Sequence, residues 1–380
     1  MRIAYFNANL LKGQDGVTRV MYKMFEGALE RQHDIVAFTS TLPEAQDRII
    51  PMHKVPSVTI PLQKSYRLAV PGYQMFAKAL DEFRPDLLHI NSPCTLGFGA
   101  AKYAEQFNVP VVATYHTHFP TYPRYYHLHG LEELTWKISR NLYNRLDRTF
   151  VPTQPILEEL SEHQINRLEY LPNGVDLELF SPTWRSLDWR ARLGIDDKPV
   201  LLFVSRLVWE KDLVVLARAY RILKEKRSDF VMVIVGDGHA RKELEEMMPG
   251  AHFLGYQTGE TLAESYASSD IFVFPSTTET FGLVTIEAMA SGLAPVAAKA
   301  GGAAGIIEEG TSGLLAPALD YERLADQIEY LLDDPEARQR LARNARKRAL
   351  EFSWSKILDQ LFESYWSVIQ RHEIRQAEAA

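Results

Sequence analysis

Ile271-Phe-Val-Phe-Pro275, Ser276-Thr-Thr-Glu279-Thr-Phe281-Gly282 and Leu283-Val-Thr-Ile-Glu287-Ala-Met-Ala-Ser-Gly292 follow one another without a break, and together they decide how the rest of the chain is read. The first run is short, apolar and closed by proline, which predicts a buried parallel strand. The last run predicts a helix that starts at Gly282 and stops at Gly292. A helix start at the carboxyl end of a parallel strand is where α/β proteins bind phosphorylated ligands. Glu279 precedes that start and Glu287 lies about a turn and a half inside it. Two acids oppose simple anion binding, so they are expected to grip hydroxyl groups. A sugar nucleotide offers both phosphates for the helix and hydroxyls for the acids.

Strand and helix patterns alternate on both sides of this stretch. Strands are predicted at Ile3–Phe6, Ile35–Thr39, Leu87–Asn91, Val111–Tyr115 and Thr149–Val151, then at Val200–Val204, Phe230–Val235, Ala251–Leu254 and Pro295–Ala298. Helices fall between them and three more close the chain, which predicts an α/β protein with parallel sheets. A length of 380 residues suits two domains. The turn-rich Leu171-Pro-Asn-Gly-Val-Asp176 marks the boundary, giving domains 1–174 and 175–353, with a helix over 354–375 packing back on the first. Residues from there to about Pro199 read as irregular and polar.

Composition narrows the function classes. Hydrophobic content of 46% and charged content of 24% describe a globular chain, and a single cysteine, Cys94, excludes a disulfide framework. The first residues read as a strand rather than a leader, and no apolar run reaches the length of a membrane span, so a cytoplasmic location is expected. Residues 1–150 carry 17 Lys and Arg against 13 Asp and Glu, a net +4 that leaves −11 of the total −7 for the remainder. That asymmetry reads either as solvated helix faces or as an N-terminal half facing an anionic membrane surface. Trp136, Lys137, Arg140, Tyr143, Arg145 and Arg148 likewise suit a lipid interface or an amphipathic helix on its sheet. No nucleic-acid-binding module is recognisable.

The string Pro-Ser-x-x-Glu279-x-Phe-Gly-x-x-x-x-Glu287-Ala-Met-Ala-x-Gly resembles the Glu-x7-Glu signature of retaining family 4 glycosyltransferases of the GT-B fold, in which two Rossmann-like, doubly wound domains face a cleft. Ser205-Arg206-Leu-Val-Trp-Glu-Lys211 resembles the same family's Gly-Arg-Leu-x-x-x-Lys block. His116-Thr-His118-Phe-Pro-Thr-Tyr122 is similar to glycolipid synthases that use diacylglycerol, sulfolipid and glucolipid enzymes among them. The resemblance implies transfer of a sugar from a nucleoside diphosphate sugar, a UDP-sugar before GDP-mannose, to a lipid hydroxyl with retention. It implies no metal and no other cofactor.

Residue by residue, the resemblance puts Glu279 on donor-sugar hydroxyls, Glu287 on the ribose, and the backbone around Phe281, Gly282 and Leu283 at the diphosphate. Arg206 and Lys211 would stabilise the departing diphosphate; without the resemblance they read rather as a basic pair on a solvated loop. Gly236 and Tyr256 end strands near the nucleobase or serve ordinary turns. Gly16 would let the first loop approach the donor, although Asp15 stands where relatives have a first glycine. His116 would touch the donor sugar, while His118, Tyr122 and Arg124 would shape the acceptor pocket. Gly301-Gly302 is either a phosphate contact or a plain loop. The alternatives are an epimerase of the same fold, transfer to a soluble sugar, and a non-catalytic nucleotide-binding module. The absence of Gly-x-Gly-x-x-Gly after every predicted strand counts against a nicotinamide enzyme.

Overall fold

Runs such as Val200–Val204, whose five residues are all buried, can only pair with strands covered on both faces, and the chain builds two parallel sheets of that kind. The computed structural model describes residues 1–11, 16–60, 63–70, 72–121, 129–195 and 197–379. It divides into two units, Met1–Asn173 with Trp354–Ala380, and Gly174–Ser353.

The first unit contains β1 (Arg2–Asn7), β2 (Asp34–Thr39), β3 (Met52–Lys54), β4 (Ser57–Ile60), β5 (Gln63–Ala69), β6 (Leu87–Ile90), β7 (Val111–Thr114), β8 (Arg148–Val151) and β9 (Leu168–Tyr170). Seven of these form a parallel sheet in the order β3-β2-β1-β6-β7-β8-β9, while β4 and β5 pair antiparallel as a separate hairpin. The order reverses between β1 and β6, so ligand chemistry is expected beyond Asn7 and Ile90. The helix Trp354–Ala379 belongs to this unit. Arg148 reaches Ser364 Oγ at 2.6 Å and Ser367 Oγ at 3.0 Å, and the Tyr365 hydroxyl meets His89 Nδ1 inside the core.

The second unit contains β10 (Val200–Val204), β11 (Val231–Val235), β12 (His252–Gly255), β13 (Ile271–Phe274), β14 (Ala294–Ala298) and β15 (Leu314–Ala316) in the parallel order β12-β11-β10-β13-β14-β15. Here the order reverses between β10 and β13, whose registers meet at Leu201–Ile271. The residues before β10 correct the expectation of an irregular segment. They include the helix Leu187–Arg192, capped by the Ser186 hydroxyl, with Trp189 and Arg190 buried. Arg190 is held by the Ser268 carbonyl at 2.9 Å and by Asp270 at 3.4 Å, so tertiary contacts hold a helix too short to persist alone. Gly301-Gly302 also opens a helix, Gly301–Ile306, rather than a plain loop. Among the described residues, no helix is long and apolar enough to cross a membrane.

Candidate active site

The loops after β10 and β13 leave the sheet side by side at the reversal point, and consecutive residues of one meet consecutive residues of the other. Glu210 offers its carbonyl to Thr278 Oγ1 at 2.9 Å. Lys211 Nζ lies 2.5 Å from Glu279 Oε1. Asp212 accepts from Thr277 N at 2.8 Å and from Thr277 Oγ1 at 2.9 Å. Asp212 adopts the left-handed conformation (φ 55°), which Asp tolerates better than most residues. Burial raises its pKa, against the pull of the Thr277 donors and the Lys211 charge. Lys211 and Glu279 are thus held together, one cation beside one carboxylate.

Arg206 stands exposed in the same turn and has no ion-pair partner among the described residues. The turn is fixed from beneath: Leu207 N donates to the Asp237 carbonyl at 2.8 Å. Gly236 has φ 137°, and a Cβ there would come within 1.8 Å of the Ser205 carbonyl oxygen. Its glycine is required for the backbone of the Arg206 turn, a local role that turn chemistry alone did not reveal. Tyr256, 62% exposed, follows the end of β12.

Gly282 (φ 91°) starts the helix Leu283–Ala290, which has no side-chain cap, and Thr285 N donates back to the Gly282 carbonyl at 2.9 Å. Phe281 is buried with its ring 6.0 Å from Phe352, so only its backbone is placed to meet a ligand. Glu287 is buried, and its Oε2 accepts from the Tyr266 hydroxyl at 3.1 Å. Tyr266 lay outside the sequence expectations, because its place in the apolar pattern Leu262-Ala263-x-x-Tyr266-Ala267 reads as core.

In the first unit, His116 follows β7 and its Nε2 lies 3.0 Å from Asn91 Oδ1 at the end of β6. His118 is buried between the Tyr115 hydroxyl, 2.9 Å from Nδ1, and Glu159, 3.2 Å from Nε2. Gly16 opens the helix Gly16–Glu30. Tyr122 and Arg124, expected to shape the acceptor pocket, lie outside the described residues. No group of three or more His, Cys, Asp or Glu side chains that could hold a metal ion occurs among the described residues.

Burial pushes the His116 pKa down to about 4 and that of neighbouring His89 well below its usual value. Both folded values lie below the unfolded one, so the unfolded chain binds the extra protons. Stability is therefore full above about pH 6.5 and falls as pH drops toward 4, by on the order of 1 kcal/mol per pH unit for His116. Urea unfolding from pH 7.5 to 4.5 should show His116→Gln losing less stability than the wild type. Equal losses would mean that His116 is not held neutral.

Two doubly wound units, each with functional groups at the carboxyl edge where its strand order reverses, define a GT-B protein. Residues 14–179 match the profile of Glycosyltransferase Family 4 and residues 186–348 that of Glycosyl transferases group 1. The chain belongs to this glycosyltransferase family. It is 34% identical over 385 residues to a GDP-mannose-dependent alpha-mannosyltransferase of Mycobacterium tuberculosis, covering 99% of both chains. It is 39% identical over 282 residues to the sulfoquinovosyl transferase SQD2 of Arabidopsis thaliana, covering 72% of this chain and 54% of that one. Sucrose-phosphate synthase from Thermosynechococcus elongatus shares the fold with a TM-score of 0.80 at 22% identity, over 97% of this chain and 99% of that one.

Proposed function

We propose that this glycosyltransferase moves a hexosyl group from a nucleoside diphosphate sugar to a lipid hydroxyl such as that of diacylglycerol, with retention of configuration. The observation that carries the donor reading is the Lys211–Glu279 pair at the β10–β13 reversal, beside the uncapped start of Leu283–Ala290. Arg206, Lys211 and the helix amides hold the diphosphate and stabilise the charge it gains on leaving, a role that needs no metal ion. Glu279 accepts from sugar hydroxyls and Glu287 from the ribose. No protein carboxylate is assigned as a nucleophile; the leaving phosphate assists deprotonation of the acceptor on the same face. His116 hydrogen-bonds the transferred sugar, and its low pKa keeps it neutral for that task.

A UDP-sugar is the donor that the motif resemblance supports. GDP-mannose is a second reading, favoured by the full-length likeness to GDP-mannose-dependent relatives. The lipid acceptor draws support from the likeness of the His116-Thr-His118-Phe-Pro-Thr-Tyr122 run to glycolipid synthases. It also draws support from Leu131, Leu134 and Ile138, which stay exposed along one stretch that also carries exposed Lys137. The purified protein should be assayed with UDP-glucose, UDP-sulfoquinovose and GDP-mannose on diacylglycerol vesicles, with and without excess chelator. One donor is expected to give a glycolipid of retained anomeric configuration, equally fast with chelator. Inversion, transfer to soluble sugars alone, or metal-reversible loss of activity would overturn the corresponding part.

A further inference from the structure

Glu287 is only 4% exposed, and a carboxylate so buried needs hydrogen-bond donors. One comes from outside the loops that form the rest of the donor site. Tyr266 sits on the helix Gly259–Ala267, which follows β12, and is itself fully buried. Its ring packs edge-on to Phe180 at 5.6 Å and lies 6.1 Å from Phe272, so the position of its hydroxyl is set by the core. That hydroxyl lies 3.1 Å from Glu287 Oε2 and 3.2 Å from the Val284 carbonyl, one helical turn before Glu287. A phenol has one proton, and an ionised carboxylate is the stronger acceptor, so the bond to Glu287 is the favoured one.

We propose that Tyr266 is a positioning residue for nucleotide recognition: its buried phenol locks the Glu287 carboxylate in the orientation that accepts from the ribose hydroxyls of the donor. The proposal rests on the reading of Glu287 as the ribose-binding acid. A ribose contact is made equally in the ground and transition states, so its loss weakens binding and spares turnover. The specificity it confers is against nucleotides whose sugar lacks the diol, because such a ligand offers the oriented carboxylate no hydroxyls to accept from.

Calorimetric titration of the full chain with UDP and GDP identifies the tighter base, and the 2′,3′-dideoxy form of that nucleotide is the comparison probe. Tyr266→Phe is expected to weaken the ribonucleotide about tenfold and the dideoxynucleotide less than about twofold, while kcat at saturating donor stays within about twofold. Glu287→Gln should abolish most of the discrimination by itself, and adding Tyr266→Phe to it should change little more, since the phenol acts through the acid. Equal weakening of both nucleotides by Tyr266→Phe would overturn the proposal, as would a further loss in the double variant or an unchanged single variant. Should Tyr266→Phe fail to fold, the double variant decides the matter, because it removes the buried acid's charge together with its partner. Discrimination that survives Glu287→Gln would instead defeat the ribose reading of Glu287, a different result from failure of Tyr266 alone.

Discussion

Glu279→Gln is expected to lower kcat/KM about a thousandfold while binding the free nucleoside diphosphate as tightly as the wild type or more tightly. The two halves of this result have one cause. Without ligand, Glu279 Oε1 sits 2.5 Å from Lys211 Nζ and competes with any phosphate for that cation. Removing the carboxylate's charge frees Lys211 for the diphosphate but leaves only one neutral amide oxygen, a weaker acceptor for the sugar hydroxyls that Glu279 is proposed to bind. Lys211→Ala should lose a similar factor in turnover, about 4 kcal/mol of transition-state stabilisation, and should lose nucleotide affinity as well. Initial rates and calorimetry on both variants check this, with unfolding curves to confirm that each remains cooperative. Near-normal turnover in either would remove the pair from the mechanism. A marked fall in nucleotide affinity for Glu279→Gln would show instead that the acid binds the ligand's phosphate end through another group.

These expectations were within reach of the sequence because Lys211 and Glu279 each follow a continuous apolar run. Val200–Val204 and Ile271–Phe274 are buried along their whole length, and fully covered strands announce themselves in composition. β3, β15 and the β4–β5 hairpin were not legible. They are short or mixed in polarity, and their pairing depends on neighbours that no local pattern names. The helix Thr95–Phe107 is weakly marked, because Gly97 and Gly99 lower the helix propensity of its first turns. The same limit applies to the site. Glu279 and Lys211 could be proposed one at a time, but their contact across 68 residues follows from β10 and β13 being neighbours, which the sequence does not state. Asp212 stands at the start of the helix Leu213–Lys226, yet its carboxylate turns away from that helix to Thr277. His118 read as a pocket residue, and only the fold reveals Glu159 as its partner.

Gly302→Ala should lower kcat at least about a hundredfold, although Gly302 has no side chain to touch a ligand. The helix Gly301–Ile306 starts against the backbone of the Glu279 loop, where Gly302 N donates to the Glu279 carbonyl at 2.6 Å. A Cβ on Gly302 would lie 2.3 Å from the carbonyl carbon and oxygen of Phe281, and one on Gly301 would lie 2.5 Å from the Glu279 carbonyl oxygen. Real atoms do not approach so closely, and the obstruction is backbone, which cannot rotate aside as a side chain can. Either the helix withdraws or residues 279–281 shift, and a displacement of about 1 Å at a catalytic group costs on the order of a hundredfold in rate. Gly301 adds a positive φ of 54°, so Gly301→Ala combines crowding with backbone strain. Kinetics on Gly302→Ala should therefore show kcat reduced at least about a hundredfold, together with a lowered melting temperature. Gly310 supplies the control. It too has a positive φ, 74°, but a Cβ there meets nothing within 4 Å, so Gly310→Ala should cost stability through strain alone and leave kcat near the wild-type value. A fully active Gly302→Ala would mean that the Glu279 loop can move without penalty, and that the fixed pairing of Lys211 with Glu279 is not what the site depends on.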